Sequence, residues 1–217
     1  MTQGFKDNGV LVDAFVVTAV CFGWFILLSL HAVSAGFPTR PFTNTSLLGI
    51  LVTELTLATA ALGYLYVRGH DLANLVPRPS RNGTLAGIGL LLAGYLASWV
   101  LTWPFPADAP SAQPVEEMLA EARISLLPVL GVSLVNGVYE EVFLLGHLQK
   151  TLEPWGASFA LGSSLLVRVL YHLYQGPAGA VSVLGIGLVF GLFYMRTKQL
   201  WPLVFAHFLA DVYGFAT

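Results

Sequence analysis

The chain has 217 residues, of which 56 % are hydrophobic and only 10 % are charged. This composition is too apolar for a soluble domain and is typical of a protein that crosses a membrane several times. The net charge of -2 offers no basic surface for nucleic acid, so we expect no nucleic-acid partner. The single cysteine, Cys21, excludes a disulfide framework and a cysteine-rich metal site.

Seven apolar stretches come close to the length that crosses a hydrocarbon core about 30 Å thick. They cover residues 10–35, 46–67, 84–104, 125–148, 156–175, 178–195 and 199–216. The first stretch lacks the charged start and cleavage site of a signal peptide, so we expect it to remain as a span. The longest joint is the proline-rich 104–114, and residues 115–123 predict an amphipathic surface helix. We therefore predict one all-α membrane domain over residues 1–217, a bundle of about seven transmembrane helices.

The basic residues near the ends of these stretches predict an orientation. With the N-terminus in the cytoplasm, that side receives seven basic residues and the other side two, which fits the excess of Lys and Arg on cytoplasmic loops. The cytoplasmic set is Lys6, Arg68, Arg78, Arg81, Lys150, Arg196 and Lys198, and the outer set is Arg40 and Arg123. We predict a cytoplasmic N-terminus and an outer C-terminus.

Ionisable side chains lie inside several of these apolar stretches, where each costs at least about 2.5–3.5 kcal/mol on insertion scales. They are Glu54, Glu140, Glu141, Arg168, His172, His207 and Asp211. Three helices carry polar residues at helical spacing, which predicts a shared polar interior. The stripes are Ser133, Asn136, Glu140 and His147; Ser164, Arg168, His172 and Gln175; and His207 and Asp211. Counted along straight helices, Glu140 and Asp211 come out near mid-membrane, and His172 several ångströms further outward.

These residue types indicate hydrolysis. A glutamate paired with a histidine can take a proton from water and make it a nucleophile. A second histidine, with an acid or amide one turn away, can donate hydrogen bonds to the oxyanion that forms on a scissile carbonyl. We expect Glu54 to be structural, as the partner of a buried donor, and His147 to lie at the cytoplasmic edge.

Three motifs resemble the CPBP family of intramembrane proteases, also called Abi or type II CAAX prenyl endopeptidases, relatives of Rce1. The family's Glu-Glu-x-x-x-Arg motif reads EEVFLLG from Glu140 to Gly146. Its Phe-x-x-x-His motif reads RVLYH from Arg168 to His172, and its His-x-x-x-Asn/Asp motif reads HFLAD from His207 to Asp211. The resemblance covers roughly residues 125–217, and residues 1–124 carry three spans and a surface helix without a matching motif.

The resemblance implies a role for each motif residue. Glu140 and His172 would activate water, and His207 and Asp211 would stabilise the oxyanion. Glu141 would be a supporting carboxylate, which the motif's arginine normally pairs with. The implied substrate is a membrane-embedded peptide or protein, lipidated or with a hydrophobic tail, in a bilayer that we expect to be a prokaryotic plasma membrane.

The chain departs from the motifs at two positions. Leu145 stands where the first motif has arginine, and Arg168 stands where the second has an aromatic residue. We hypothesise that Arg168 replaces the missing cation and pairs with Glu141 or with Glu54.

Three alternatives stay open. Zinc or another divalent ion could bind Glu140, His172 and His207, although we favour hydrolysis without a metal or other cofactor. The chain could be a catalytically silent relative that acts as a scaffold, immunity or regulatory protein. It could also be a proton-coupled transporter, since such proteins carry Glu, His and Asp inside the membrane.

Overall fold

The structure is a computed structural model that describes residues 3–105 and 114–216, with residues 3–8 described as helix without their side chains. Most of the predicted joint at 104–114 and the side chain of Lys6 therefore lie outside the described residues. The described part contains helices and no strand, apart from an isolated β-bridge between Thr43 and Arg123. The predicted all-α class is confirmed.

Nine α-helices follow one another in the described part of the chain. They are α1 (Gln3–Ser34), α2 (Asn44–Val67), α3 (Arg81–Thr102), α4 (Pro114–Ala120), α5 (Leu126–Glu140), α6 (Lys150–Leu152), α7 (Ala157–His172), α8 (Gly176–Thr197) and α9 (Trp201–Ala216). A π-helix (Glu141–Gln149) joins α5 to α6 without a break, and short 3₁₀ turns occupy Leu72–Leu75, Glu153–Trp155 and Leu173–Gln175. The predicted surface helix corresponds to α4.

Five stretches of the described chain are long and apolar enough to cross a membrane: Gly9–Ser34, Asn44–Val67, Arg81–Thr102, Leu126–Trp155 and Ala157–Thr197. The last of these folds back on itself at Gly176, whose φ of 85° is a conformation that glycine adopts easily, and so contributes both α7 and α8. The helix α9 has 16 residues and is only about 24 Å long. The chain is an integral membrane protein, and the count of seven spans stays a prediction.

The π-helix lies at the centre of the bundle. The Lys150 N–H bonds to the carbonyl of Leu145, five residues back, and all nine residues from Glu141 to Gln149 are buried. Such wider turns are rare and frequently occur at functional sites. Because the turn is wider than in an α-helix, the 3.6-residue spacing that predicts a stripe along α5 does not continue beyond Glu141.

The prediction that His147 extends the stripe of Glu140 is wrong for this reason. Its ring is buried at 4 % exposure and packs edge-on against His70, with the ring centroids 6.0 Å apart. His70 in turn contacts the Asp13 carboxylate, which also accepts hydrogen bonds from Tyr64 and Arg68. His147 therefore belongs to a second polar cluster between α1, α2 and the π-helix and does not extend the stripe of Glu140. Its level at the cytoplasmic edge stays a prediction.

Glycines allow α3, α7 and α8 to approach one another closely. A Cβ on Gly185 of α8 would lie 2.8 Å from the backbone nitrogen of Ser98 on α3. On the α7 side, a Cβ on Gly187 would lie 2.8 Å from Cδ of Arg168. Small residues are the usual means of close helix packing in membranes. The Gly187 contact has a functional consequence, since it leaves room for a buried arginine.

Candidate active site

A cavity of about 420 Å³ opens between α1, α2, α4, α5, α7 and α9. Most of its wall is apolar: α1 contributes Phe22 and Phe25, and α4 covers it with Met118 and Leu119. Its polar lining groups include Glu54, Asn136, Glu140, His172 and Asp211. Residues from all three predicted motifs therefore lie in or beside one pocket.

Glu140, the last residue of α5, stands between the two histidines. Its Oε1 is 3.9 Å from His172 Nε2, and its Oε2 is 3.8 Å from His207 Nε2. Both separations are too long for a direct hydrogen bond, and polar groups at such distances are commonly bridged by water. The carboxylate itself is held by Arg168 Nη1, which is 3.2 Å from Oε2.

His172, the last residue of α7, has a defined tautomer. Its Nδ1 lies 2.9 Å from the Arg168 carbonyl oxygen, and because a carbonyl only accepts, Nδ1 must donate. In the neutral ring, Nε2 then carries the lone pair, and this atom faces Glu140. Straight helices predict that His172 lies several ångströms further outward than Glu140. In the structure the two side chains nevertheless face each other at 3.9 Å.

Arg168 forms the ion pair predicted with Glu141 and none with Glu54 among the described residues. Its Nη2 lies 2.9 Å from Oε1 and 3.0 Å from Oε2 of Glu141, while Nη1 reaches Glu140. Arg168 is only 3 % exposed and Glu141 is fully buried. One guanidinium thus compensates two adjacent carboxylates and fixes their separate orientations.

His207 and Asp211 of α9 extend this network. His207 Nδ1 lies 2.7 Å from Glu141 Oε1, and His207 Nε2 lies 3.5 Å from Asp211 Oδ1. Asn136 of α5 joins them, with its Nδ2 2.9 Å from Asp211 Oδ2 and 3.3 Å from His207 Nε2. The motif residues therefore converge as predicted, and each residue's chemical role remains to be tested.

Three polar groups of the pocket wall have no part in the chemistry predicted from the sequence. Asn136 stands one turn before Glu140, and this spacing was the available signal for its place in the site. The Tyr171 hydroxyl is buried near Glu140 without a hydrogen-bond partner among the described residues. Oε2 of Glu54 is also buried without a hydrogen-bond partner among the described residues, so none of these residues is the donor that we expected to pair with this carboxyl.

The residues that lie close enough together to hold a metal ion are not the three that the sequence predicted. One ligand atom each from Glu140, Glu141 and His207 lie within 4.8 Å of one another, and His172 is not in this group. Arg168 already donates to both carboxylates. A divalent ion at this position would have to share those oxygens with the guanidinium.

Comparison with known proteins identifies the segment that carries the site. The family described as type II CAAX prenyl endopeptidase Rce1-like matches residues 122–213. No curated protein and no solved structure matches the chain. The match includes all three motifs and confirms the resemblance predicted from them. Residues 122–213 are therefore similar in sequence to the Rce1-like family.

Proposed function

We propose that this protein is an intramembrane endopeptidase that hydrolyses a peptide bond in a membrane-anchored peptide. The observation that carries the proposal is the convergence of Glu140, His172, His207 and Asp211 at an apolar pocket inside the bundle. The family assignment supports it, since the family is named for an endopeptidase. In a low-dielectric interior, the charges and dipoles of these groups act more strongly than in water.

Glu140 and His172 activate the water. A water molecule between Glu140 Oε1 and His172 Nε2 would bridge the 3.9 Å gap and face the pocket. Its oxygen bonds to the carbonyl carbon of the substrate while its proton passes to the Glu140–His172 pair. When the C–N bond breaks, the pair returns this proton to the leaving nitrogen.

His207 and Asp211 form the oxyanion side of the site. Nδ1 of His207 is anchored on Glu141, so Nε2 is the atom that faces Asp211 and Glu140. Because the Nδ1–H donates to Glu141, Nε2 carries an N–H only in the doubly protonated ring, and in that form it can donate to the negative carbonyl oxygen of the tetrahedral intermediate. Glu141 and Arg168 support this arrangement by holding His207 and Glu140.

Hydrolysis proceeds without a metal in this proposal. Arg168 supplies positive charge beside Glu140 and Glu141, at 2.9–3.2 Å, where a metal ion would otherwise compensate the two carboxylates. The alternative of a silent relative depended on the missing arginine at position 145. Because Arg168 supplies that cation from α7, the departure no longer favours an inactive protein.

The pocket supports a hydrophobic peptide as the substrate. Its aromatic and aliphatic wall lies beside the proposed catalytic groups, and α4 covers it. A prenylated C-terminal motif, a bacterial sorting tail and a bacteriocin-type precursor all combine a peptide bond with an apolar neighbour. We propose a prokaryotic plasma membrane as the location, because the joints between the predicted spans are short.

The test is cleavage of three synthetic peptides in proteoliposomes: one with a farnesylated C-terminal cysteine motif, one with an apolar sorting tail, and one leader peptide. Mass spectrometry detects the products. We expect the wild type to cleave at least one peptide and Glu140→Gln to cleave none. Glu153→Gln is the matched control, because Glu153 pairs with Lys198 at a different place in the chain and does not line the pocket.

Three results would overturn the proposal or part of it. Equal cleavage by the wild type and Glu140→Gln would show that another group, or a contaminant, performs the hydrolysis. Loss of activity on exhaustive chelation, with recovery on addition of zinc alone, would replace the metal-free mechanism with a metal-dependent one. Proton flux in a pH-gradient assay, without cleavage of any peptide, would favour a transporter.

A further inference from the structure

The oxyanion side of the site lacks a donor at one motif position. The third motif allows asparagine or aspartate at its last position, and in this chain the residue is Asp211. An ionised carboxylate only accepts hydrogen bonds, so it cannot stabilise a negatively charged oxygen directly. An oxyanion site usually needs more than one donor, and His207 alone supplies one.

We propose that Asn136 is the second oxyanion donor and that Asp211 orients its amide group. This inference rests on the proposed function and assigns a catalytic role to a residue outside the three motifs. Asn136 lies in α5, one turn before Glu140, and its side chain lines the pocket. In this chain the last motif residue is Asp211 of α9, and Asn136 of α5 supplies the amide group that an asparagine at position 211 would provide.

The orientation of the Asn136 side chain follows from its partner. Its terminal atom lies 2.9 Å from Asp211 Oδ2, and because the carboxylate accepts, that atom must be the amide nitrogen. One of its two hydrogens bonds to Asp211, and the other faces His207 Nε2 at 3.3 Å, where a substrate oxygen bound beside both nitrogens would accept it instead. The Asn136 amide could lie with either its nitrogen or its oxygen towards position 211. The Asp211 carboxylate selects the nitrogen, whereas a water molecule alone would not select either.

The two donors are close enough to bind the same oxygen. Asn136 Nδ2 and His207 Nε2 are 3.3 Å apart, so an oxygen at hydrogen-bond distance from one can also reach the other. Asn136 lines the cavity together with Glu140 and His172, the residues proposed to activate water. A carbonyl in the pocket would therefore have the attacking water on one side and both donors on the other.

The close packing of α5 and α9 supports that geometry. Asn136 and Glu140 belong to one helix, and α9 packs closely on that helix at Gly137, where a Cβ would lie 3.2 Å from the Val204 carbonyl oxygen. When water adds to the carbonyl carbon, the π electrons move to the oxygen, and Asn136 and His207 bind the resulting negative charge. The charge returns to the carbonyl as the C–N bond breaks and the leaving nitrogen takes the proton.

The test measures kcat and KM for the peptide that shows Glu140-dependent cleavage. We expect Asn136→Asp and Asn136→Ala to lower kcat by about 100-fold or more, with KM changed little, because the donor acts mainly in the transition state. We expect the exchange Asn136→Asp with Asp211→Asn to recover at least about tenfold over Asn136→Asp, since it restores one amide and one carboxylate at the same pair of positions.

The control is a similar pair outside the pocket. Asn74 Nδ2 donates to Asp71 Oδ2 at 3.0 Å, so Asn74→Asp breaks an equivalent hydrogen bond, and kcat should stay unchanged. Melting curves show whether each variant folds. If the single Asn136 variants fail to fold, the exchanged pair decides, since it keeps the same two side-chain types in contact.

The outcomes separate this inference from the proposed function. Wild-type kcat in folded Asn136→Ala, with activity lost in Glu140→Gln, would overturn the role of Asn136 and leave the peptidase standing. The role of Asn136 would also be overturned if Asp211→Asn alone is active but the double variant, Asn136→Asp with Asp211→Asn, folds and is inactive. Cleavage unaffected by Glu140→Gln would overturn the proposed function and this inference together.

Discussion

At the scale of single residues, the site keeps a buried cation but takes it from a different helix. Position 145 carries leucine, and Arg168 of α7 reaches the carboxylates that the motif's own arginine would serve. Gly187 of α8 makes this possible, because any side chain there would collide with the arginine's Cδ. The charge of the network is thus preserved although two motif positions differ.

The first prediction concerns the buried ion pair between Arg168 and Glu141. We expect Arg168→Leu or Glu141→Leu alone to lower the free energy of unfolding by about 3–5 kcal/mol, because each leaves an unpaired charge in the interior. The double variant should lose less than the sum of the single variants, by about 2 kcal/mol or more. Thermal unfolding of the four proteins in one detergent–lipid mixture measures this coupling.

A second pair of variants tests whether the arginine can be moved back. Arg168→Phe combined with Leu145→Arg restores the motif residues at both positions, and the new cation starts four residues beyond Glu141. We expect this double variant to be more stable than Arg168→Phe alone. Additive effects in both sets of variants would mean that the contacts of Arg168 with the carboxylates contribute little to stability.

At the scale of elements, the change from α-helix to π-helix separates the roles of the two adjacent glutamates. Glu140 ends α5 and borders the pocket, whereas Glu141 begins the π-helix and is fully buried against Arg168 and His207. Neighbouring helical residues point in different directions, so the two carboxylates serve different partners. One can contact water while the other holds the network together.

The sequence predicted much of this arrangement, for identifiable reasons. Hydrophobic length located most helix ends to within a few residues, although α1 begins at Gln3 where 10 was predicted and the fourth stretch continues to Trp155 where 148 was predicted. The motifs predicted that Glu140, His172 and His207 lie together, and they do. His147 was wrongly placed on the stripe of Glu140, because an apolar sequence gives no sign that the helix widens after Glu140. The contact of Asn136 with Asp211 depends on how α5 and α9 pack, which spacing along one helix does not determine.

The prediction at this scale concerns the contact between α5 and α9. A Cβ on Gly137 would lie 3.2 Å from both Val204 O and Phe208 N, so Gly137→Ala must push α9 away by a few tenths of an ångström. His207 and Asp211 would move with it, and their contacts to α5 would lengthen. We expect kcat for the cleaved peptide to fall by about tenfold or more, with melting temperature changed by only a few degrees.

The matched control is Gly63→Ala in α2. A Cβ at Gly63 meets no atom within 4 Å, and alanine is the better helix former, so this variant should keep its activity and its stability. If Gly137→Ala also keeps full activity, the close approach of the two helices is not needed to align the site.

At the scale of the whole molecule, chemistry and pocket wall come from different parts of the chain. The proposed catalytic groups lie within residues 122–213, the segment that matches the family. Much of the apolar wall comes from α1, α2 and α4, which lie outside it. Substitutions in these three helices are therefore where we expect the choice of peptide to change, while the chemical step stays the same.

The last prediction is the orientation of the bundle in the membrane. Lys150 begins α6 and Lys198 follows α8, and both belong to the basic residues predicted to face the cytoplasm. Arg123 and Phe42 precede α5 and α2, and the Arg123 N–H donates to the Phe42 carbonyl, so these two helices begin at the same end of the bundle, which is predicted to face outward. A maleimide that does not cross membranes reports which end is outside.

In a Cys21→Ala background, we expect this reagent to label Glu121→Cys on intact cells. It should label Gln199→Cys only after the cells are permeabilised, because that residue follows α8 on the cytoplasmic side. Both positions are exposed in the structure, so burial does not prevent either reaction. The reverse pattern would place the C-terminus in the cytoplasm, and equal labelling on intact cells would mean that the two positions lie on the same side.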